Sequence, residues 1–200
     1  HIINNVLHLD GFDWDMEYGW SVGDNVGDLI GDQGTITTKS AHDRTLAFVK
    51  RMREGLGDKN LIIDGEPARL PATEACVYFD YFANQVYCTS SSNAHKRSDG
   101  YLDSYLQGVV DAFSPYLEPE FVASRFIALE STEWEWNKGG VAWQDRWGTQ
   151  GLLSWEGVSR WTPVSNGEYM LKGGMGADLI NNDDSPVGAV TYPRRRRAIQ

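Results

Sequence analysis

Three acidic residues alternate with large apolar residues near the start of the 200-residue chain, where Asp13, Asp15 and Glu17 occupy every second position of one segment. On a β-strand such positions share a face and lie about 6.6 Å apart at the usual rise. Carboxyl groups at this spacing raise one another's pKa, which keeps a glutamic acid protonated near neutral pH and able to act as a general acid. The pattern therefore predicts acid catalysis at this strand, whereas Asp10 has the other parity and is expected to be structural.

Two other uses of these carboxylates fit the sequence less well. A calcium loop has glycine at its sixth position, where this chain has Tyr18. An acidic strand that merely faces solvent does not account for Phe12, Trp14 and Met16, which imply burial of the opposite face. We therefore expect neither a metal nor a cofactor here.

The composition limits the classes of partner. Acidic residues outnumber basic ones 28 to 18, giving a net charge of −10, which opposes binding to nucleic acid or anionic membranes. The basic run Arg194–Arg197 is interpreted as a solvated helical end, and no apolar stretch is long enough to cross a membrane. Eight tryptophans favour a carbohydrate partner, because aromatic faces stack on sugars, and we expect at least two to face a ligand. Cys76 and Cys88 could form one disulfide or remain two separate thiols.

Short apolar runs alternate with helical patterns along the chain. This alternation predicts an α/β fold of consecutive βα units with one parallel sheet. The predicted strands are 6–16, 61–64, 83–89, 121–129 and 158–161, and the predicted helices are 40–56, 71–81, 101–113, 150–155 and 192–199.

The acidic segment also resembles a known family. Asp10 to Glu17 is similar to the D-G-x-D-x-D-x-E pattern of glycoside hydrolase family 18, which contains chitinases and endo-β-N-acetylglucosaminidases. Gln85-Val-Tyr87 resembles the Q-x-Y of the endoglycosidase branch. The segments 155–161, 173–176 and 197–200 resemble the barrel ending of Bacteroidetes members, so the resemblance covers nearly the whole chain.

The resemblance implies a (β/α)8 TIM barrel with the acidic motif on its fourth strand. Residues 1–200 would then be the C-terminal five βα units, covering strands 4 to 8, since a full barrel needs about 250 residues. The first and last of these strands would lack partners at their outer edges. We therefore expect the missing strands to precede His1 or to belong to another polypeptide.

The family also implies a mechanism in which the substrate's 2-acetamido oxygen is the nucleophile. Glu17 would protonate the glycosidic oxygen, and Asp15 would orient the acetamido group. Asp13 would hold Asp15 and share its proton. Tyr87 would donate a hydrogen bond to the acetamido oxygen, with Gln85 beside it.

Further substrate contacts follow from the predicted strand ends. Trp161 is expected to form the floor under the reacting sugar, and Glu130 and Glu66 to contact glycan hydroxyls. Recognition of glycan branches would fall to the loops 21–38 and 131–150.

The implied reaction is retaining hydrolysis of a β-1,4 GlcNAc linkage, with the diacetylchitobiose core of N-glycans as the expected substrate. A non-catalytic glycan-binding protein on the same barrel is the first alternative, and the presence of Glu17 with Asp15 argues against it. A chitinase is the second, and the Q-x-Y segment argues against it. We expect the protein to be secreted, or to lie in the periplasm or at the bacterial cell surface.

Overall fold

The computed structural model describes Asn5, residues 7–16, 41–86 and 98–130, Arg146, and residues 154–177. Predicted features at Glu17, Tyr87 and Cys88, in the loops 21–38 and 131–150 apart from Arg146, and in the final helix 192–199 lie outside these residues. The described strands are β1 (Gly11–Met16), β2 (Asn60–Gly65), β3 (Tyr81–Gln85), β4 (Phe126–Glu130), β5 (Val164–Ser165), β6 (Glu168–Tyr169) and β7 (Gly174–Ala177). The helices are α1 (Ala41–Leu56), α2 (Asp99–Phe113), α3 (Pro119–Arg125) and α4 (Ser154–Arg160), with 3₁₀ turns at Pro67–Arg69 and Thr73–Tyr78.

A five-stranded sheet with the order β1-β2-β3-β4-β7 confirms the predicted α/β fold with a parallel sheet. The chain divides into two compact units, residues 1–83 with 109–122 and residues 84–108 with 123–200. Within the described parts of both units, no helix is long and apolar enough to cross a membrane.

The first unit is built on β1, β2 and α1. β1 and β2 run parallel from Gly11↔Asn60 to Met16↔Gly65. Leu61 and Ile63 of β2 and Val49 of α1 are fully buried, as the apolar spacing of both elements requires. α1 ends at Gly57, whose φ of +66° suits glycine and whose N–H donates to the carbonyl of Arg53 at 3.0 Å.

The second unit contains the pairing of β4 with β7, in register from Ile127↔Gly174 to Glu130↔Ala177. β4 and β7 approach each other closely at Gly173, just before β7, and at Gly176 within β7. A Cβ on Gly173 would lie 2.9 Å from the carbonyl oxygen of Phe126, and one on Gly176 would meet the Leu129 side chain. Glycine is therefore needed for close packing at 173, where the obstacles are backbone atoms, whereas at 176 the Leu129 side chain can move aside.

Two expected elements between residues 71 and 129 are different in the structure. The helix expected over 71–81 is instead the 3₁₀ turn Thr73–Tyr78, followed by β3, which begins at Tyr81. The strand expected over 121–129 begins as the helix α3, and only Phe126–Glu130 is extended. A short apolar run does not distinguish a buried helix from a buried strand, and Pro119 is well suited to begin a helix.

The expected last strand, 158–161, is wrong. Residues Ser154–Arg160 form α4, and the Trp161 N–H donates to the carbonyl of Gly157 at 2.8 Å. The fifth strand of the parallel sheet is β7, whose sequence Gly-Met-Gly-Ala has little intrinsic preference for a strand. Pairing with β4 determines this strand, so local sequence does not reveal it.

Candidate functional site

The two faces of β1 differ as the alternation predicts except at Phe12, which was expected to be buried and is 37% exposed. Asp13 and Asp15 are exposed, whereas Met16 is 5% exposed. Trp14 packs edge-on against Phe48 of α1, with ring centroids 5.1 Å apart, and stacks with Phe79 at 6.3 Å. Packing of Trp14 thus fixes the strand so that its neighbouring aspartates point to the opposite face.

The electrostatic environment of Asp13 suits a shared proton. Partial desolvation of the carboxyl group, whose side chain is still exposed, raises the pKa of Asp13, and the negative charge of Asp15 raises it further. The crowding predicted from the spacing is therefore present, although desolvation has the larger effect. Asp13 can hold a proton at a higher pH than an ordinary aspartic acid.

A third aspartate, Asp64, belongs to the same group and was not predicted as a site residue. It lies directly opposite Asp15 in the parallel register of β1 and β2, so both side chains fall on the same face. The Asp64 carboxylate also accepts a hydrogen bond from the Gly65 N–H. The sequence shows an aspartate at the end of a short strand, but only the register places it beside Asp15.

Glu66, predicted to contact substrate, is positioned by the ends of β1 and β2. Its N–H donates to the carbonyl of Met16 at 3.0 Å, one residue before Glu17. The close approach depends on Gly65, which has φ +102° and whose Cβ, if present, would lie 2.2 Å from the Met16 oxygen. Arg69 lies 3.6 Å from the Glu66 carboxylate.

The other predicted residues fall in the second unit. Gln85 is the last residue of β3, and Glu130 is the last residue of β4, where its backbone pairs with Ala177. Both stand at the carboxyl ends of parallel strands, the edge at which α/β enzymes bind ligands. The structure thus groups Asp13, Asp15 and Glu66 in the first unit and describes Gln85 and Glu130 in the second.

The structure gives Trp161 a packing role instead of the expected sugar floor. The residue is 1% exposed and offers no open ring face, and its ring contacts Phe126 edge-on at 5.8 Å. Its indole N–H donates to Asp103 at 2.9 Å. Asp103 also accepts hydrogen bonds from the Val164 N–H and the Arg146 guanidinium, so Trp161 is part of a partly buried network.

Two further groups have structural roles in the same way. The Lys172 ammonium donates to the carbonyls of Val158, Ser159 and Trp161 at 3.0, 2.7 and 2.8 Å, which caps the end of α4. Cys76 is a buried free thiol, and burial raises its pKa to about 12.

Among the residues described, no three His, Cys, Asp or Glu side chains are grouped to hold a metal ion.

A parallel α/β sheet with paired carboxylates on one strand is typical of enzymes that act at the carboxyl edge of the sheet. Residues 8–200 match the model of glycoside hydrolase family 18, BT1044-like, so the chain belongs to glycoside hydrolase family 18.

Two similar solved structures, one apo and one of a mutant in complex with fucosyl-N-acetylglucosamine-Asn, are of an endo-β-N-acetylglucosaminidase from Cordyceps militaris. Each has a TM-score of 0.54 and 20% sequence identity, over 96% of this chain and 56% of the other. The chain therefore spans a little over half the length of these relatives. No curated protein matches it.

Proposed function

We propose that this protein is a glycoside hydrolase that cleaves a β-1,4 GlcNAc linkage in the diacetylchitobiose core of N-glycans. The observation that carries the proposal is the exposed pair Asp13 and Asp15 on β1, in a chain of family 18. The names of the similar structures support a GlcNAc-containing substrate, since one of them holds fucosyl-N-acetylglucosamine-Asn.

The proposed reaction proceeds in two steps with retention of configuration. The substrate's 2-acetamido oxygen attacks the anomeric carbon while Glu17 gives its proton to the leaving glycosidic oxygen, which produces an oxazolinium-like intermediate. Glu17 then takes a proton from a water molecule. This water attacks the same carbon and opens the oxazolinium ring, which restores the acetamido group. The raised pKa of Asp13 supports a proton shared with Asp15, whose carboxylate orients the acetamido group.

The remaining contacts are assigned by position. Tyr87 would donate a hydrogen bond to the acetamido oxygen, and Gln85 would lie beside it. Glu66, which follows β2, and Glu130, which ends β4, would accept hydrogen bonds from glycan hydroxyls. Asp64 joins them, because its register with Asp15 supports a place next to the acetamido group.

The fold proposal is that residues 1–200 supply strands 4 to 8 of a (β/α)8 barrel. β1 is the first strand in the sheet order, and the relatives are longer than this chain, which supports further strands outside this sequence. These strands would come from the same or another polypeptide. We also propose that the protein is secreted or acts in the periplasm or at the bacterial cell surface.

Incubation of the intact protein with glycoproteins of high-mannose and complex type tests the function. We expect mass spectrometry to find a single GlcNAc left on asparagine. The matched control is Glu17→Gln, which preserves shape but removes the transferable proton and should lower the rate by about 10²–10⁴-fold with glycan binding retained. A Glu17→Gln rate within about twofold of wild type would rule out Glu17 as the acid.

A further inference from the structure

Glu66 has an unsatisfied hydrogen-bonding group at the edge proposed to bind glycan. Its Oε2 atom is buried, and within the described part of the chain no hydrogen-bond donor reaches it. The Arg69 guanidinium is 3.6 Å away, which is longer than a hydrogen bond. A buried carboxylate oxygen without a donor is costly, so a donor brought by a ligand would be favourable.

The short 3₁₀ turn Pro67–Arg69 fixes the spacing of Glu66 and Arg69. The Arg69 N–H donates to the Glu66 carbonyl at 2.9 Å, and the Leu70 N–H donates to the Pro67 carbonyl at 3.1 Å. Pro67 and Leu70 are buried and anchor the turn in the core. Arg69 is 53% exposed and the Glu66 side chain as a whole is 32% exposed, so the pair lies partly at the surface, although Oε2 itself is buried.

The surrounding charge indicates which ligand the pair would take. Asp13 and Asp15 are exposed on the neighbouring strand, and Asp64 precedes Glu66 by two residues. These carboxylates would repel an acidic sugar. Adjacent hydroxyls of a neutral sugar, by contrast, can donate to Glu66 and accept from Arg69 at the same time.

We propose that Glu66 and Arg69 form a subsite that binds adjacent hydroxyls of a neutral sugar next to the cleaved GlcNAc linkage. This proposal rests on the proposed function, since it assigns the pair to the same glycan. It names Arg69 as a specificity-determining residue and predicts that the enzyme distinguishes glycans by the sugar beyond the chitobiose.

The experiment compares two glycopeptides with the intact protein, one carrying chitobiose alone and one carrying chitobiose extended by three mannoses. We expect Glu66→Gln and Arg69→Met each to lower kcat/KM for the extended glycopeptide by about 10-fold more than for the short one. The matched controls are Arg51→Met and Glu54→Gln. This pair has the same i,i+3 spacing and a distance of 3.7 Å, but it is exposed on α1. The controls should leave the ratio of the two kcat/KM values unchanged.

A binding measurement separates the subsite from the reaction. In the Glu17→Gln background, calorimetry should show about 10-fold weaker binding of the mannosylated glycopeptide when Glu66→Gln or Arg69→Met is added. If the wild type hydrolyses neither glycopeptide, the proposed reaction fails, and this affinity change alone decides the subsite. The proposal would be overturned if the Glu66 and Arg69 substitutions affected both glycopeptides equally or had no effect. Tighter binding of a sialylated glycopeptide than of the neutral one would also overturn it.

Discussion

The junction of β1 and β2 depends on the absence of a side chain at Gly65. Its φ of +102° strains any residue with a Cβ, and that Cβ would lie 2.2 Å from the Met16 oxygen and 2.7 Å from the Met16 carbonyl carbon. Both obstacles are backbone atoms, so no side-chain rotation relieves the overlap. Gly65→Ala should therefore separate the ends of the two strands where Asp15 faces Asp64.

Two other glycines distinguish backbone strain from steric overlap as causes of the stability lost in Gly65→Ala. Gly57 has φ +66° with open space around its Cβ position, so Gly57→Ala carries the backbone strain alone, about 1 kcal/mol. Gly55 lies within α1 and also has open space, so Gly55→Ala should stabilise the helix by about 0.5–1 kcal/mol. Gly65→Ala combines strain with overlap, and we expect a loss of about 3 kcal/mol.

Urea unfolding of the intact protein, followed by tryptophan fluorescence, measures the three free-energy changes. The expected order of stability is Gly55→Ala, wild type, Gly57→Ala and then Gly65→Ala. A Gly65→Ala protein as stable as Gly57→Ala would refute the close approach of β2 to Met16. It would also remove the structural basis for placing Glu66 beside the end of β1.

Three further predictions test the mechanism, a surface ion pair and a buried hydrogen bond. Replacing GlcNAc by glucose at the cleaved position should abolish turnover because it removes the internal nucleophile; comparable rates for both sugars would contradict substrate assistance. The hydrogen bond with Asp43 raises the pKa of His42 above its usual 6.5, and Glu74 raises it further. The free energy of unfolding of wild type should therefore exceed that of His42→Gln by its full amount below pH 6.5. This difference should disappear as the pH rises through the higher pKa of the folded state, and a difference independent of pH would contradict the prediction. Trp161→Phe loses the donor to Asp103 and should lower the free energy of unfolding by about 2 kcal/mol in urea titrations, whereas an unchanged midpoint would contradict that bond.

The residues of β1 show how far the sequence alone reaches. Alternation separates Asp13 and Asp15 from Trp14 and Met16, and the structure has the same separation. The helical spacing in 40–56 and 101–113 likewise predicts α1 and α2 to within two residues. These features depend on neighbours a few positions apart, so the local sequence is sufficient to predict them.

The tertiary structure decided the features that depend on distant residues. The sequence Gly-Met-Gly-Ala is a strand because β4 lies beside it. Trp161 lies in the core, where the Asp103 carboxylate accepts its indole N–H. Asp64 joins Asp15 only through the register of two strands more than forty residues apart. Strand pairing and register are set by hydrogen bonds and packing between separate segments, whereas periodicity is set within one segment. The sequence therefore determined which faces carry the carboxylates, and the tertiary structure determined which carboxylates lie together.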